Sequence, residues 1–135
     1  MNELYMLDTD TCAFVLRRSS EALLVRLQAV PVAQQVISVV THAELLCGVQ
    51  VSSKKKANLA AVESLVRHLA VLDWPRDAAV HYAEIRADLK RKGSMIGAND
   101  LMIAAHARSL AATVVTNNTK DFSRVKGLKV ENWMR

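Results

Sequence analysis

The chain has 135 residues, 51% of them hydrophobic, and its 18 Lys and Arg against 13 Asp and Glu give a formal charge of +5. That length and apolar content suit one domain with a single substantial core, expected over residues 1–135. No apolar run reaches the roughly eighteen residues needed to cross a bilayer, and Glu3, Asp8 and Asp10 break the N-terminus before a signal peptide's apolar stretch can form, so a cytoplasmic protein with no membrane partner is expected.

The first apolar run, Leu4-Tyr5-Met6-Leu7, is short and continuous and ends in Asp8-Thr9-Asp10, the pattern of a buried parallel strand entering a polar turn. A helix is predicted after it, over about Thr11 to Arg17. Val36-Ile37-Ser38-Val39-Val40 is a second β-branched run. Helical periodicity then covers Ala57 to Leu69, with a weaker strand candidate at Val71-Leu72, and returns over Arg76 to Lys92 and Asn99 to Leu110. Thr113-Val114-Val115-Thr116 is the third clear strand run, ending in Asn117-Asn118, and Lys129-Val130 is a weaker one. Strands alternating with helices predict an α/β fold with a central parallel sheet. The breakers Pro31, Gly48, Pro75, Gly93, Gly97 and Gly127 open no low-complexity linker and mark no repeat.

Cys12 and Cys47 have no CxxC or Cys/His spacing of the kind zinc needs, and both lie in apolar helical segments, which reads as a reduced, buried pair. His42, His68, His81 and His106 are scattered singly and read as surface or packing residues. The excess of cations favours a polyanionic partner. The basic clusters Arg17-Arg18, Lys54-Lys55-Lys56 and Lys90-Arg91-Lys92, each taken alone, are equally the solvated faces of helices.

Ligands of an open α/β sheet bind beyond the carboxyl ends of the strands, so the residues that follow the apolar runs are the candidates. Asp8 closes the first run, Glu44 is expected in the first turn of the helix after the second, Asp100 in the first turn of the helix after Gly97, and Asp121 follows the third run. All four can converge on one edge. Each also has a plainer reading. Thr41-His42-Ala43-Glu44 matches a capping box, Asp100 suits a helix N-terminus through the dipole, Asp8 or Asp10 can cap the first helix, and Asn118 and Asp121 suit a turn. What favours a site is the apolar company of Asp8 and Asp100, with Leu7 beside one and Ile96, Leu101, Met102 and Ile103 around the other. Carboxylates beside buried surface cost stability unless paired; few Lys or Arg lie near these in sequence, and a divalent cation with oxygen ligands meets the need.

Five segments, in order, resemble the successive motifs of the VapC family of PIN-domain toxins: Leu7-Asp8-Thr9-Asp10, Thr41-His42-Ala43-Glu44-Leu45, Ile96 through Ala107, Thr116-Asn117-Asn118-Thr119-Lys120-Asp121-Phe122 and Gly127 through Trp133. Any one is weak; together they span almost the whole chain. The resemblance implies a three-layer α/β/α fold and a homodimeric endoribonuclease, using Mg2+ or Mn2+, that a VapB-type antitoxin holds inactive. Residue by residue, it matches Asp8 and Asp100 to the family's metal-binding aspartates, Glu44 and Asp121 to its third and fourth acids, and Thr116 and Asn118 to the polar residues around the fourth. Asp10 stands where these toxins commonly carry Asn, which leaves it open as a ligand, a supporting group or a cap.

By similarity, cleavage leaves a 5′-phosphate and a 3′-hydroxyl, and the RNA is a transfer RNA, the initiator tRNA being one family target. Such a cation polarises the phosphate and lowers the pKa of water, so no Cys, Ser or His nucleophile is required. Arg86, Lys90 and Lys92 are expected to hold the RNA backbone. Aromatic residues make up only 4% of the chain, so little base stacking is expected. A response-regulator receiver would also carry acids at strand ends, but it needs a lysine where Thr116-Asn117-Asn118 offers none. A silent PIN-like RNA binder is disfavoured by the complete acid set.

Overall fold

Tyr5–Leu7 forms β1, and it sits at the centre of the sheet. Gln35–Ser38 (β2) and Thr113–Val115 (β4) flank it, with Ala70–Leu72 (β3) and Lys129–Glu131 (β5) outside them. The computed structural model describes residues 3–135, and among these the sheet has five strands in the order β3-β2-β1-β4-β5. Residues 1 and 2 of the domain expected over 1–135 lie outside the described residues. Every pairing is parallel, with Met6 opposite both Val36 and Val114, Val36 opposite Ala70, and Val114 opposite Val130. All strands therefore end on one edge, and the chain must cross back between them, mostly as helices.

Those helices are Thr9–Arg17 (α1), Glu21–Ala29 (α2), Val39–Gln50 (α3), Lys55–His68 (α4), Ala78–Lys92 (α5), Ala98–Ser109 (α6) and the short Thr119–Phe122 (α7). Side chains alternate across a strand, so neighbouring residues of one run serve opposite cores. Met6, Val36 and Val114 pack with Ile85 and Leu89 of α5, with Leu101 and Ala104 of α6, and with Phe122. Leu7, Ile37 and Val115 pack with Cys12, Leu23, Leu45, Val62 and Leu65 from α1 to α4, and with Trp133 near the C-terminus. Both faces are covered, which is why the strand runs are continuously apolar. The predicted three-layer α/β/α architecture with a central parallel sheet is the observed one.

Three expectations need correction. β2 stops at Ser38, and Val39 and Val40 begin α3, because the Ser38 hydroxyl accepts a hydrogen bond from the Val40 amide and caps the helix there. This moves Glu44 out of the first turn of α3 and into its middle. The cysteines are not a buried pair: Cys12 is buried and Cys47 exposed, since Leu45 and Val49, four apart, take the inward face of α3 and Cys47 falls between them. A helix unnoticed in the sequence, α2, is capped by the Ser20 hydroxyl, which accepts from the Leu23 amide.

Candidate active site

The carboxyl edge of the sheet gathers the acids from four separate segments. Asp8 directly follows β1 and is only 2% exposed. It caps α1, accepting at Oδ1 from the Thr11 amide at 2.8 Å, and its Oδ2 accepts from the Thr116 hydroxyl at 2.6 Å. The cap and the site are thus one residue. Asp10 lies in the first turn of α1, exposed. Thr116, fully buried just past β4, also accepts from the Asn118 amide at 2.8 Å, so one hydroxyl joins Asp8 to the turn before α7. The Asn118 amide side chain in turn donates to Asp121 Oδ2 at 2.9 Å.

Glu44 comes from the middle of α3. Its Oε1 accepts from the Thr9 hydroxyl and its Oε2 from Asn99 Nδ2 at 3.0 Å. Thr41 does not cap α3 but is buried, its hydroxyl oxygen 3.3 Å from that of Thr9, so the capping-box reading of Thr41 and Glu44 fails. Thr9 and Asn99 escaped the sequence reading; each is the immediate chain neighbour of a candidate aspartate, Asp8 or Asp100, and that adjacency was the available signal.

Asp100, in the first turn of α6, reports the convergence most directly. Its carboxyl is pushed up to about 6, first by burial and then by the negative charges of Asp8, Glu44, Asp121 and Asp10. Burial likewise raises the Asp8 carboxyl, with the hydrogen bonds from Thr116 and Thr11 pulling the other way. Among the described residues no Lys or Arg forms an ion pair with Asp8, Glu44 or Asp100, while Asp121 has Arg124 at 3.6 Å. As placed, no three Asp, Glu, His or Cys side chains of the described residues form a ready metal-binding group, their oxygens being turned instead to Thr, Asn and backbone donors. The donor chemistry nonetheless fits a hard divalent cation. Every candidate ligand is a carboxylate oxygen, and Asp100 is raised by the charges of four acids, of which Asp121 alone among the described residues has a cation paired with it. Burial pushes the Cys12 thiol up, away from a nucleophilic thiolate.

The basic residues expected to meet RNA lie elsewhere, exposed on α5. Arg86 donates to the Tyr82 hydroxyl at 2.8 Å, Lys92 is paired with Asp88 at 3.0 Å, and none of the contacts of these residues or of Lys90 reaches the acids. A groove of about 420 Å³ does reach them: it runs from Thr9 and Glu44 between α1, α3 and α4, lined by Leu16, Leu45 and Val62, to Arg17. No helix of the described residues is long and apolar enough to cross a membrane.

Residues 5–128 match the PIN domain family. The tRNA(fMet)-specific endonuclease VapC of Salmonella typhimurium is 41% identical over 129 residues, spanning 96% of this chain and 97% of that protein. A Haemophilus influenzae protein, ribonuclease VapC, is 38% identical over 130 residues, spanning 96% and 98%. Among solved structures, DNA-bound VapBC from Salmonella typhimurium superposes with a TM-score of 0.92 at 40% identity, covering 98% of this chain and 99% of the matched one.

Proposed function

The chain belongs to the VapC group of the PIN-domain family, and on that premise we propose that it is the toxin of a toxin–antitoxin pair, an endoribonuclease that hydrolyses RNA phosphodiester bonds. The observation that carries the proposal is the Asp100 carboxyl, held at about 6 by burial and by four other acids of the same edge. Such a cluster is costly to a resting protein and useful to one that must hold a divalent cation against a phosphate.

Asp8 and Asp100 are the proposed principal ligands of Mg2+ or Mn2+, with Glu44 and Asp121 completing the set. When bound, the cation supplies Lewis acidity at the scissile phosphate and acidifies water. The chain's own groups orient those ligands. Thr116 and the Thr11 amide hold both oxygens of Asp8, Thr9 and Asn99 hold both oxygens of Glu44, and Asn118 holds Asp121. Asp10, exposed two residues after Asp8, adds negative charge felt at Asp100 and serves as a supporting group. Arg86, Lys90 and Lys92 are proposed backbone contacts for the RNA, on the strength of their exposed charge. The substrate class is transfer RNA, with the initiator tRNA first because the Salmonella relative is named for it. The partner is a VapB-type antitoxin, as in the VapBC structure, and the apolar groove ending on Glu44 suits an amphipathic segment that brings a cation to the acids. Residues 1–135 act as one PIN domain, as a homodimer, in the cytoplasm where such RNA is found.

Incubation of the purified chain with initiator and elongator tRNAs tests this. Cleavage is expected with Mn2+ or Mg2+, leaving 5′-phosphate ends, and is expected to stop with EDTA. Cleavage undiminished in EDTA, or no cleavage of any RNA with cation present, would overturn the proposal.

A further inference from the structure

His106 is the one described residue with a buried side-chain polar atom, Nε2, that has no hydrogen-bond partner. The imidazole is 1% exposed and lies in α6 among Ile103, Ala104, Ala105 and Ala107, all buried and apolar. Its other nitrogen, Nδ1, is hydrogen-bonded to Ser38 Oγ at 2.8 Å, and Ser38 is itself fully buried. That same hydroxyl accepts from the Val40 amide at 3.1 Å, so one side chain ends β2, starts α3 and holds α6. Burial keeps the imidazole neutral by lowering its pKa.

The arrangement is costly as packing alone. Whichever tautomer is present, a ring nitrogen is left orphaned in the core, and an apolar side chain of similar size would avoid that penalty. What the pair offers in return is position. Asp100 and His106 are six residues apart in α6, and Ser38 and Glu44 are six residues apart at the start of α3, each about 9 Å along its helix at 1.5 Å per residue. The two helices pack against each other, and the buried bond joins them at matching depth below the two acids. At the acid ends, where Glu44 and Asp100 are half-buried, the two helices are also joined by the Asn99–Glu44 bond, so the buried bond is the second polar tie between them.

We propose that His106 and Ser38 are positioning residues, a buried brace that fixes α6 against the start of α3 and thereby sets the spacing of Asp100 and Glu44. The proposal rests on the ribonuclease reading for its kinetic consequence, and cation binding gives it a second readout. In His106→Leu, the metal-free protein should unfold close to the wild-type temperature, since the orphaned nitrogen is gone while the buried Ser38 hydroxyl loses its partner on α6. Its kcat for RNA should nonetheless fall about tenfold to a hundredfold with KM changed by less than about twofold, because misplacement of ligands costs turnover more than binding. The rise in unfolding temperature that saturating Mn2+ gives the wild type should shrink.

His106→Asn, which keeps a polar atom near the Nδ1 position and removes Nε2, should restore both kcat and the Mn2+ effect. Ser38→Ala, which also removes the cap of α3, should lose at least as much activity, and the double variant with His106→Leu should lose no more than Ser38→Ala alone, the signature of one shared interaction. If His106→Leu does not fold, Ser38→Ala and the Asn rescue decide the matter. Wild-type kcat and Mn2+ response in His106→Leu would overturn the brace, as would activity that falls only in step with unfolding and is not rescued by Asn. If the wild type cleaves no RNA, the ribonuclease reading fails by itself, and the Mn2+ response of the same variants still judges the brace.

Discussion

On α5, Asp88 accepts a hydrogen bond from Lys92 Nζ at 3.0 Å and lies 4.0 Å from Arg91, and its carboxyl is held below the usual range, first by the Lys92 bond. Nearby, Glu84 meets Arg108 at 2.6 Å. At the carboxyl edge of the sheet, Asp8 and Glu44 accept only from hydroxyl, amide and backbone groups, and Asp100 is pushed up to about 6. Asp88 on one side, and Asp8 and Asp100 on the other, thus end with opposite shifts. Where a cation is built into the chain, the acid serves the surface and the fold. Where none is, the acids repel one another, and the molecule keeps a cost that a bound cation offsets.

The largest expected break in that contrast is Asp8→Asn. Asn retains the acceptor for the Thr11 amide, so α1 stays capped, but a carboxylate leaves the cluster. Cleavage should fall by about a hundredfold or more, beyond the range seen for groups that merely support a ligand, with circular dichroism unchanged. Next is Thr116→Val, which removes the hydroxyl that donates to Asp8 and accepts from the Asn118 amide. Activity should drop about tenfold to a hundredfold, chiefly through weaker Mn2+ binding, measured as the cation concentration at half-maximal rate.

The smallest effect on cleavage belongs to the paired region. Arg108 donates to Glu84, to His81 Nδ1 at 2.8 Å and to the Lys126 carbonyl at 3.0 Å. Arg108→Ala should cost no more than about 1 kcal/mol in urea unfolding, since water replaces the exposed bonds to Glu84 and the Lys126 carbonyl, and leave the cleavage rate at wild type. A cleavage defect there equal to that of Thr116→Val would erase the distinction between the two regions.

Much of the acid edge was legible in the sequence because it depends on topology. Short β-branched runs make parallel strands, parallel strands end together, and Asp8 follows such a run directly, Asp121 lies in the short helix after another, and Asp100 lies in the first turn of a helix. The position of Glu44 was less legible. Val39 and Val40 favour a strand by propensity, but a capping bond at Ser38 outweighs that preference and shifts the whole helix register toward the N-terminus. The helix α2 carried its signal in Ser20-Glu21, a cap followed by an acid, but Val25 and its neighbours give it only a narrow buried stripe, Leu23 being its one fully inward residue. The clamps on Glu44 were out of reach, since Thr9 and Asn99 are 35 and 55 residues from it. Periodicity carries no information about side-chain partners at that range.

Asp100→Asn, followed by thermal unfolding of the metal-free protein across pH and by cleavage with Mn2+, tests the central claim most directly. A carboxyl raised to about 6 in the folded protein from 3.8 gives stability that is fully present below the lower value and lost as pH rises through the upper one. The variant escapes that loss. Its advantage over wild type should therefore be absent near pH 4, grow up to about pH 6 and hold above it, reaching about 1–3 kcal/mol at 1.36 kcal/mol per pKa unit. Cleavage should collapse, and so should the stabilisation by Mn2+. A variant that cleaves RNA at the wild-type rate, or that is no more stable than wild type at pH 7 without metal, would contradict the assignment of this edge as a cation-dependent active site.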